Sequence, residues 1–292
     1  MKRRHQAPLA DVRGSVGAVS NGAARVSKRF YPSLLAFLAC TLLLRAETPE
    51  QRGKRVLDEC VQALGGDRFL NMQNRVETGR AYSFYRDSLT GLSIARIYTR
   101  YDSGVTDTTH NLAQHERDNF GKKEDYGTLF TGKEAWDITY RGARPLPADR
   151  FARYLDTTLH DIFYILRVRL HEPGWIFESK GADVIENRGV EIVDLTDADN
   201  RTTTVYFDHI TKLPVRQVFF RRDDVTKDRN EEVTHFTKYR DTGGVQWPFA
   251  IERDRNGEKV YEIFSTSVDV NDQKVSNDLF ALPSSIKLLK PE

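Results

Sequence analysis

Residues 202–222 read TTTVYFDHITKLPVRQVFFRR. Thr203, Val205 and Phe207 alternate with Thr204, Tyr206 and Asp208. After the break at residues 208–212, Leu213, Val215, Gln217 and Phe219 alternate with Arg216, Val218 and Phe220. Two period-two runs rich in β-branched and aromatic residues around a short polar break predict a β-hairpin. Asp208 can bond its own backbone to open the turn, and Pro214 at the entry of the second strand removes no central ladder bond.

Working outward, the same grammar repeats. Val76–Arg86 and Ser93–Asp102 pair around a turn, and residues 103–126 are polar and accommodate one or two exposed strands. Thr128–Thr131 and Glu134–Tyr140 flank Gly132-Lys133. Beyond residue 174 the predicted strands are Trp175–Ser179, Asp183–Glu186, Val190–Leu195, Thr202–Asp208, Leu213–Arg222, Glu232–Tyr239, Trp247–Arg253 and Lys259–Val268. Strands joined by short turns such as Asn256-Gly257 are antiparallel.

Two helical segments interrupt this pattern. Thr48-Pro49-Glu50 supplies a hydroxyl cap, a proline at the first position and an acid in the first turn, and Gly65-Gly66 ends the helix. Ala148 to Leu170 carries Phe151, Leu155, Leu159, Ile162, Leu166 and Leu170 at spacings of three and four, with Phe163 widening the stripe, which predicts one long amphipathic helix. A sheet of this size must close, fold into a sandwich or curl into an open half-barrel. The long helix is the natural plug for the last. The expected fold class is therefore α+β, mainly antiparallel β, with about ten or eleven strands curled into an open half-barrel and a helix over the concave face.

The 292 residues carry a net charge of +2, which conceals an asymmetry. Residues 1–46 sum to +7 and residues 47–292 to −5. A mildly acidic body with interspersed signs leaves no electrostatic footprint for nucleic acid. Residues 1–27 read as a disordered basic leader, and 28–46 as a signal peptide, with Lys28-Arg29 before the apolar run Tyr31–Leu44. That run is shorter than the roughly 20 residues of a membrane-spanning helix. An uncleaved anchor, lipidation at Cys40, an organellar transit peptide and a translation start near Val26 are the alternatives. Residues 47–292 are then a single exported domain, and the expected compartment is the periplasm. Cys60, among Val56, Leu57, Val61 and Leu64, reads as a buried inert thiol.

In order along the chain, Ala63-Leu64-Gly65-Gly66, Thr131-Gly132-Lys133-Glu134-Ala135-Trp136, Tyr206-Phe207-Asp208 with Thr211-Lys212-Leu213-Pro214-Val215, Gly243-Gly244-Val245-Gln246-Trp247-Pro248-Phe249 and Asn277-Asp278-Leu279-Phe280-Ala281-Leu282-Pro283 resemble the periplasmic lipoprotein-carrier superfamily, the LolA/LolB-like half-barrels of outer-membrane lipoprotein sorting. The resemblance spans roughly residues 48–284. It implies shielding of the acyl chains of a lipid or lipoprotein in transit, with transient membrane contact. Some domains of the superfamily regulate stress signalling, which implies envelope proteins as alternative partners and a sensor or interaction module as the alternative function. No cargo-binding arginine carries over.

An acyl chain of about 16 carbons gains roughly 0.8 kcal/mol per buried CH₂, about 12 kcal/mol in all, and a membrane offers the same. A carrier must nearly match that value without exceeding it. The expected apolar lining is Tyr82, Phe84, Trp136, Ile138, Trp175, Phe177, Val205, Phe207, Val215 and Phe219 from the sheet, with Leu155, Ile162 and Leu166 from the plug; each also reads as ordinary core.

Catalytic signatures are sparse. His110, His115-Glu116, His209 and His235 are scattered, no His-Glu-x-x-His occurs, and His160-Asp161 reads as a solvent-facing pair on the helix. Asp194, Asp197 and Asp199 crowd one loop without EF-hand spacing, and a hairpin turn is the simpler reading. There is no Gly-x-Ser-x-Gly elbow and no phosphate-cradling glycine loop. The expectation is a non-enzyme with no cofactor and no metal; a hydrolase of unknown type is the remote alternative.

Overall fold

The computed structural model of the protein describes residues 47–104, 111–124, 126–223 and 226–291. The leader, the apolar segment with Cys40, and His110 lie outside the described residues.

Thirteen strands form one antiparallel sheet: β1 (Asn74–Tyr85), β2 (Ser88–Tyr101), β3 (Gln114–Phe120), β4 (Tyr126–Phe130), β5 (Ala135–Thr139), β6 (Gly142–Pro145), β7 (Ile176–Ile185), β8 (Arg188–Thr196), β9 (Thr202–Asp208), β10 (Pro214–Arg222), β11 (Arg229–Thr242), β12 (Val245–Arg255) and β13 (Glu258–Val270). Their order is 6-5-4-3-2-1-13-12-11-10-9-8-7. Every neighbour is also a sequence neighbour except β1 and β13, which pair at the centre from Arg75↔Val270 to Ser83↔Tyr261. The sheet is thus two meanders joined along their first and last strands, and it does not close into a barrel.

The count exceeds the expected ten or eleven. The polar stretch before residue 127 contains β3 complete, Gly142–Pro145 adds a short edge strand, and the two strands expected before Glu186 are one, bulged between Ser179 and Gly181. The decisive hairpin forms as its alternation requires. Asp208 Oδ1 accepts from the Ile210 and Thr211 amides at 2.9 and 2.7 Å, and Pro214 stands at the entry of β10. The β12–β13 turn places Asn256 and Gly257 at φ 51° and 79°, the left-handed pair of a tight hairpin.

Helix α1 (Pro49–Leu64) starts in a capping box: Thr48 Oγ1 accepts from the Gln51 amide and Gln51 Oε1 accepts from the Thr48 amide. Its face of Val56, Leu57, Cys60, Val61 and Leu64 is buried in the main core with Val193, Leu195, Val205 and Phe207. Burial pushes the Cys60 thiol up, which keeps it protonated and inert. A one-turn helix, α2 (Asp67–Leu70), follows and buries Phe69.

The stretch expected as one long helix is two. Helix α3 (Ala148–His160) ends at Asp161, whose φ of −70° and ψ of 123° are extended. The Asp161 carboxylate accepts from the Phe163 and Tyr164 amides and so caps a second start, α4 (Ile162–Tyr164), which continues as a wider π-type turn over Ile165–Arg169. His160 and Asp161 are therefore not a solvent-facing pair. His160 is buried and stacks on Phe219 with ring centroids 4.2 Å apart, and burial lowers its imidazole pKa.

The far end of this connection is fastened by Arg169, which is 1% exposed. It donates to Asp197 Oδ2 and Glu172 Oε2, both at 2.9 Å, and to the Leu159 carbonyl at 3.2 Å. Asp197 also accepts from Arg201 at 2.7 Å inside the β8–β9 turn, which is where the aspartate-rich loop spends its charge. At the opposite edge the C-terminal segment covers β6, with the Ala143 amide donating to the Lys287 carbonyl and the Leu289 amide to the Ala143 carbonyl. Covering an edge removes a template for strand addition.

Helix α1 approaches β7 at Gly53, where a Cβ would overlap the Phe177 carbonyl. Gly53→Ala raises intrinsic helix propensity by about 1 kcal/mol. The clash is with rigid backbone, so the net expectation is a loss of about 1–3 kcal/mol. A lowered midpoint in chemical denaturation at unchanged slope checks it.

Candidate functional site

The concave face is divided. Over β7–β12 it is filled by α1 and the Ile162–Arg169 segment, which form the main core. Over β1–β4 and β11–β13 it stays open beneath α3, leaving a cavity of about 380 Å³. That volume lies at the lower end of the range for small-molecule pockets.

Strand alternation sets the floor. Arg75, Thr99 and Glu116 form one row across β1, β2 and β3, and Glu77, Ile97 and Asp118 form the next. Arg75 approaches Glu77 at 3.7 Å and donates to Thr99 Oγ1 at 3.1 Å, while Ser265 donates to Glu77. The Arg75 guanidinium also lies 4.0 Å from the centre of the Trp247 indole. The roof comes from α3 and the break that follows it. Tyr154 stacks flat on Phe130 at 3.6 Å, and Phe163 packs on Trp247 and Phe236 at 4.6 and 5.1 Å. Ile251, Ile263 and Phe120 complete the apolar part of the wall.

This lining is far more polar than the sequence leads one to expect. Burial holds the Glu116 carboxyl above its ordinary value, with Arg75 and Arg253 pulling it partly back. Burial and the neighbouring Glu116 charge hold Asp118 well above the carboxylate range, and burial also raises Asp161. Three atoms in the wall, Asp118 Oδ1, Arg75 Nε and Trp247 Nε1, are buried without a hydrogen-bond partner. The described lining has no histidine, cysteine or serine, so it offers carboxylates, guanidiniums and phenols around an aromatic groove.

None of the thirteen residues expected as apolar lining borders this cavity. Val205, Phe207, Ile162 and Leu166 are buried in the main core, with Trp175 and Phe177 stacked at its rim. Phe219 is buried against His160, and Leu155 packs beside Leu112, Leu159 and Tyr164. The other five face away from the cavity. Tyr82 meets Phe264 edge-on, and Phe264 and Val215 line a separate groove of about 360 Å³; Phe264 alternates with Ile263, so that groove is on the opposite surface. Phe84 lies near Lys259, which pairs with Glu252 and Glu262 of the same groove. Trp136 and Ile138 alternate with Ala135, whose side chain packs on Phe130 and Leu146 in the cavity wall. The residues that do line it carried one readable signal, the i, i+2 charge pairs Arg75/Glu77 and Glu116/Asp118.

A crystal structure of a DUF1329 family protein from Desulfovibrio piger superposes with a TM-score of 0.55 at 12% identity, covering 80% of this chain and 98% of that one. A putative outer membrane lipoprotein-sorting protein domain from Vibrio parahaemolyticus gives 0.52 at 10% identity, covering 78% and 97%. The chain has the LolA-like half-barrel fold. A LolA superfamily protein from Nitrosomonas europaea aligns at a TM-score of 0.49 and 11% identity over 78% of this chain and 97% of that chain. No family model and no curated protein matches the chain. Among the described residues no helix of this LolA-like half-barrel is long and apolar enough to cross a membrane.

The raised Asp118 pKa makes a signed expectation. Its folded form binds a proton more tightly than the unfolded chain, so its neutral state is fully compatible with the fold below the unfolded value of 3.8, and stability falls as pH rises toward the folded value. Asp118→Asn fixes the neutral form. The variant is expected to melt at a higher temperature than the parent at pH 8, with the gap closing toward pH 4; thermal unfolding across that range reads it.

Proposed function

We propose that the protein is a periplasmic carrier that holds one amphipathic lipid inside the half-barrel, its hydrocarbon against the aromatic groove and its polar end toward the charged groups. The single observation that carries this reading is the cavity under α3, enclosed by a lid whose hydrogen-bond ladder is already broken at Asp161. A lid interrupted at one residue can swing about that residue without unwinding the rest. The fold likeness to a putative lipoprotein-sorting domain supports the same reading.

The polar floor suits a carrier. An all-apolar cavity would match the membrane's gain of about 0.8 kcal/mol per CH₂ and hold its cargo firmly. Covering Glu116, Asp118 and Asp161 with hydrocarbon keeps them from water, which subtracts from that gain and keeps the cargo exchangeable. A chain longer than the present cavity would enter by displacing the Phe163 side chain, and would then reach Val205, Phe207, Ile162 and Leu166. In that loaded form these residues become lining.

Native mass spectrometry of the protein after incubation with phospholipid vesicles is expected to show one lipid per chain. Ile97→Trp, which fills the cavity from its floor, is expected to weaken binding of a fluorescent fatty acid at least tenfold. No retained lipid and no acyl-probe binding would sink the carrier reading. A stable envelope-protein partner in that case would favour an interaction module on the same scaffold.

A further inference from the structure

The exposed part of the cavity wall concentrates arginines from three elements. Arg150 and Arg153 stand one turn apart on α3, and Arg253 comes from β12; all three line the cavity. No ion pair or side-chain hydrogen bond to another described residue engages their guanidiniums, and Arg253 only lies over the Tyr261 ring at 5.6 Å. Arg221 of β10 and Arg255 of β12 join them from the same face of the sheet. These two share one counter-charge, Glu232, which Arg255 reaches at 2.9 Å and Arg221 at closer range. Arg221 also comes within 3.9 Å of Asp156, yet its buried Nη1 has no hydrogen bond. Burial, then repulsion by Arg255 and Arg221, depresses the Arg153 pKa, so these three charges feel one another.

Arg150, Arg153 and Arg253 thus border the cavity, with Arg221 and Arg255 beside them, held by Glu232 and Asp156. Glu116, Asp118 and Asp161 line the same cavity, and Arg253 pulls on each of them. Holding unpaired like charges together lowers stability, and Arg150, Arg153 and Arg253 make no ion pair with a described carboxylate. A tetrahedral oxyanion matches that deficit, since its oxygens take paired N–H donors from several guanidiniums at once.

We propose that this arginine cluster is a binding site for a phosphoryl group, supplied by the headgroup of the lipid whose chain enters the cavity. The inference rests on the carrier reading for its source of phosphate, not for the site itself. The apolar groove takes the chain, and Arg150, Arg153, Arg221, Arg253 and Arg255 select the head.

The test compares 1-oleoylglycerol, 1-oleoylglycerol 3-phosphate and inorganic phosphate by titration calorimetry. The phosphorylated lipid is expected to bind at least tenfold tighter than its neutral counterpart, with the preference shrinking as salt rises. In Arg150→Gln/Arg153→Gln the preference is expected to fall below twofold, and in Arg150→Lys/Arg153→Lys to stay partly. Circular dichroism confirms that each variant is folded. Equal affinity for the two lipids would overturn the proposal while leaving the carrier reading standing. Arginine-dependent binding of inorganic phosphate with no binding of either lipid would uphold the site and remove the carrier reading. A preference for the phosphorylated lipid that both double variants retain unchanged would also overturn the assignment.

Discussion

The two outermost strands of the sheet, β6 and β7, are joined by the chain between Pro145 and Ile176. Because these edges are the far ends of two meanders sharing a central β1–β13 pair, the connection has to span the trough of the curled sheet. That constraint produces the lid. It also explains why the connection is held so firmly at its far end, where Arg169, buried to 1% exposure, joins Asp197, Glu172 and the Leu159 carbonyl. A buried guanidinium is costly unless its donors are matched, and here three of its N–H groups are. The lid is thus tethered beyond Asp161 through Arg169.

The same crossing sorts the concave face into two regimes. Where α1 and the Ile162–Arg169 segment lie on β7–β12, apolar side chains close-pack, and Arg169 is held in ion pairs at the segment's end. Where α3 stands over β1–β4, the helix rests chiefly on the Tyr154–Phe130 stack and the Leu159 and Leu155 contacts, and space remains. Into that space the sheet directs groups that an apolar core would not tolerate. Burial raises Glu116 and Asp118 on the floor and Asp161 in the roof, which favours their neutral forms, while Arg75 on the floor and the arginines around the opening keep their charge.

Local signals in the chain were reliable wherever the backbone alone decides. The Thr48-Pro49 cap, the Gly65-Gly66 stop, the Asp208 turn and the Asn256-Gly257 turn all stand where their chemistry requires. Periodicity was less reliable for the lid. The stripe from Phe151 to Leu170 is continuous in sequence, and only the Asp161 carboxylate, capping Phe163 and Tyr164, breaks it. The cavity itself was hidden because its most informative strand, β3, is HERDNF over residues 115–120, a string too polar to suggest an interior strand.

The sequence by itself determined an antiparallel sheet with two covering helical segments and the alternation within the strands it marked, because alternation and turn chemistry are local properties. Which parity meets the cavity was decided by the tertiary structure. Tyr82, Phe84, Val215, Trp136 and Ile138 are as apolar as Ile97, Phe120, Ile251 and Ile263, yet they lie on the other surface. The physical reason is that a strand's two faces are equivalent until the direction of curl, set by all thirteen strands and the one connection between their edges, makes one of them concave.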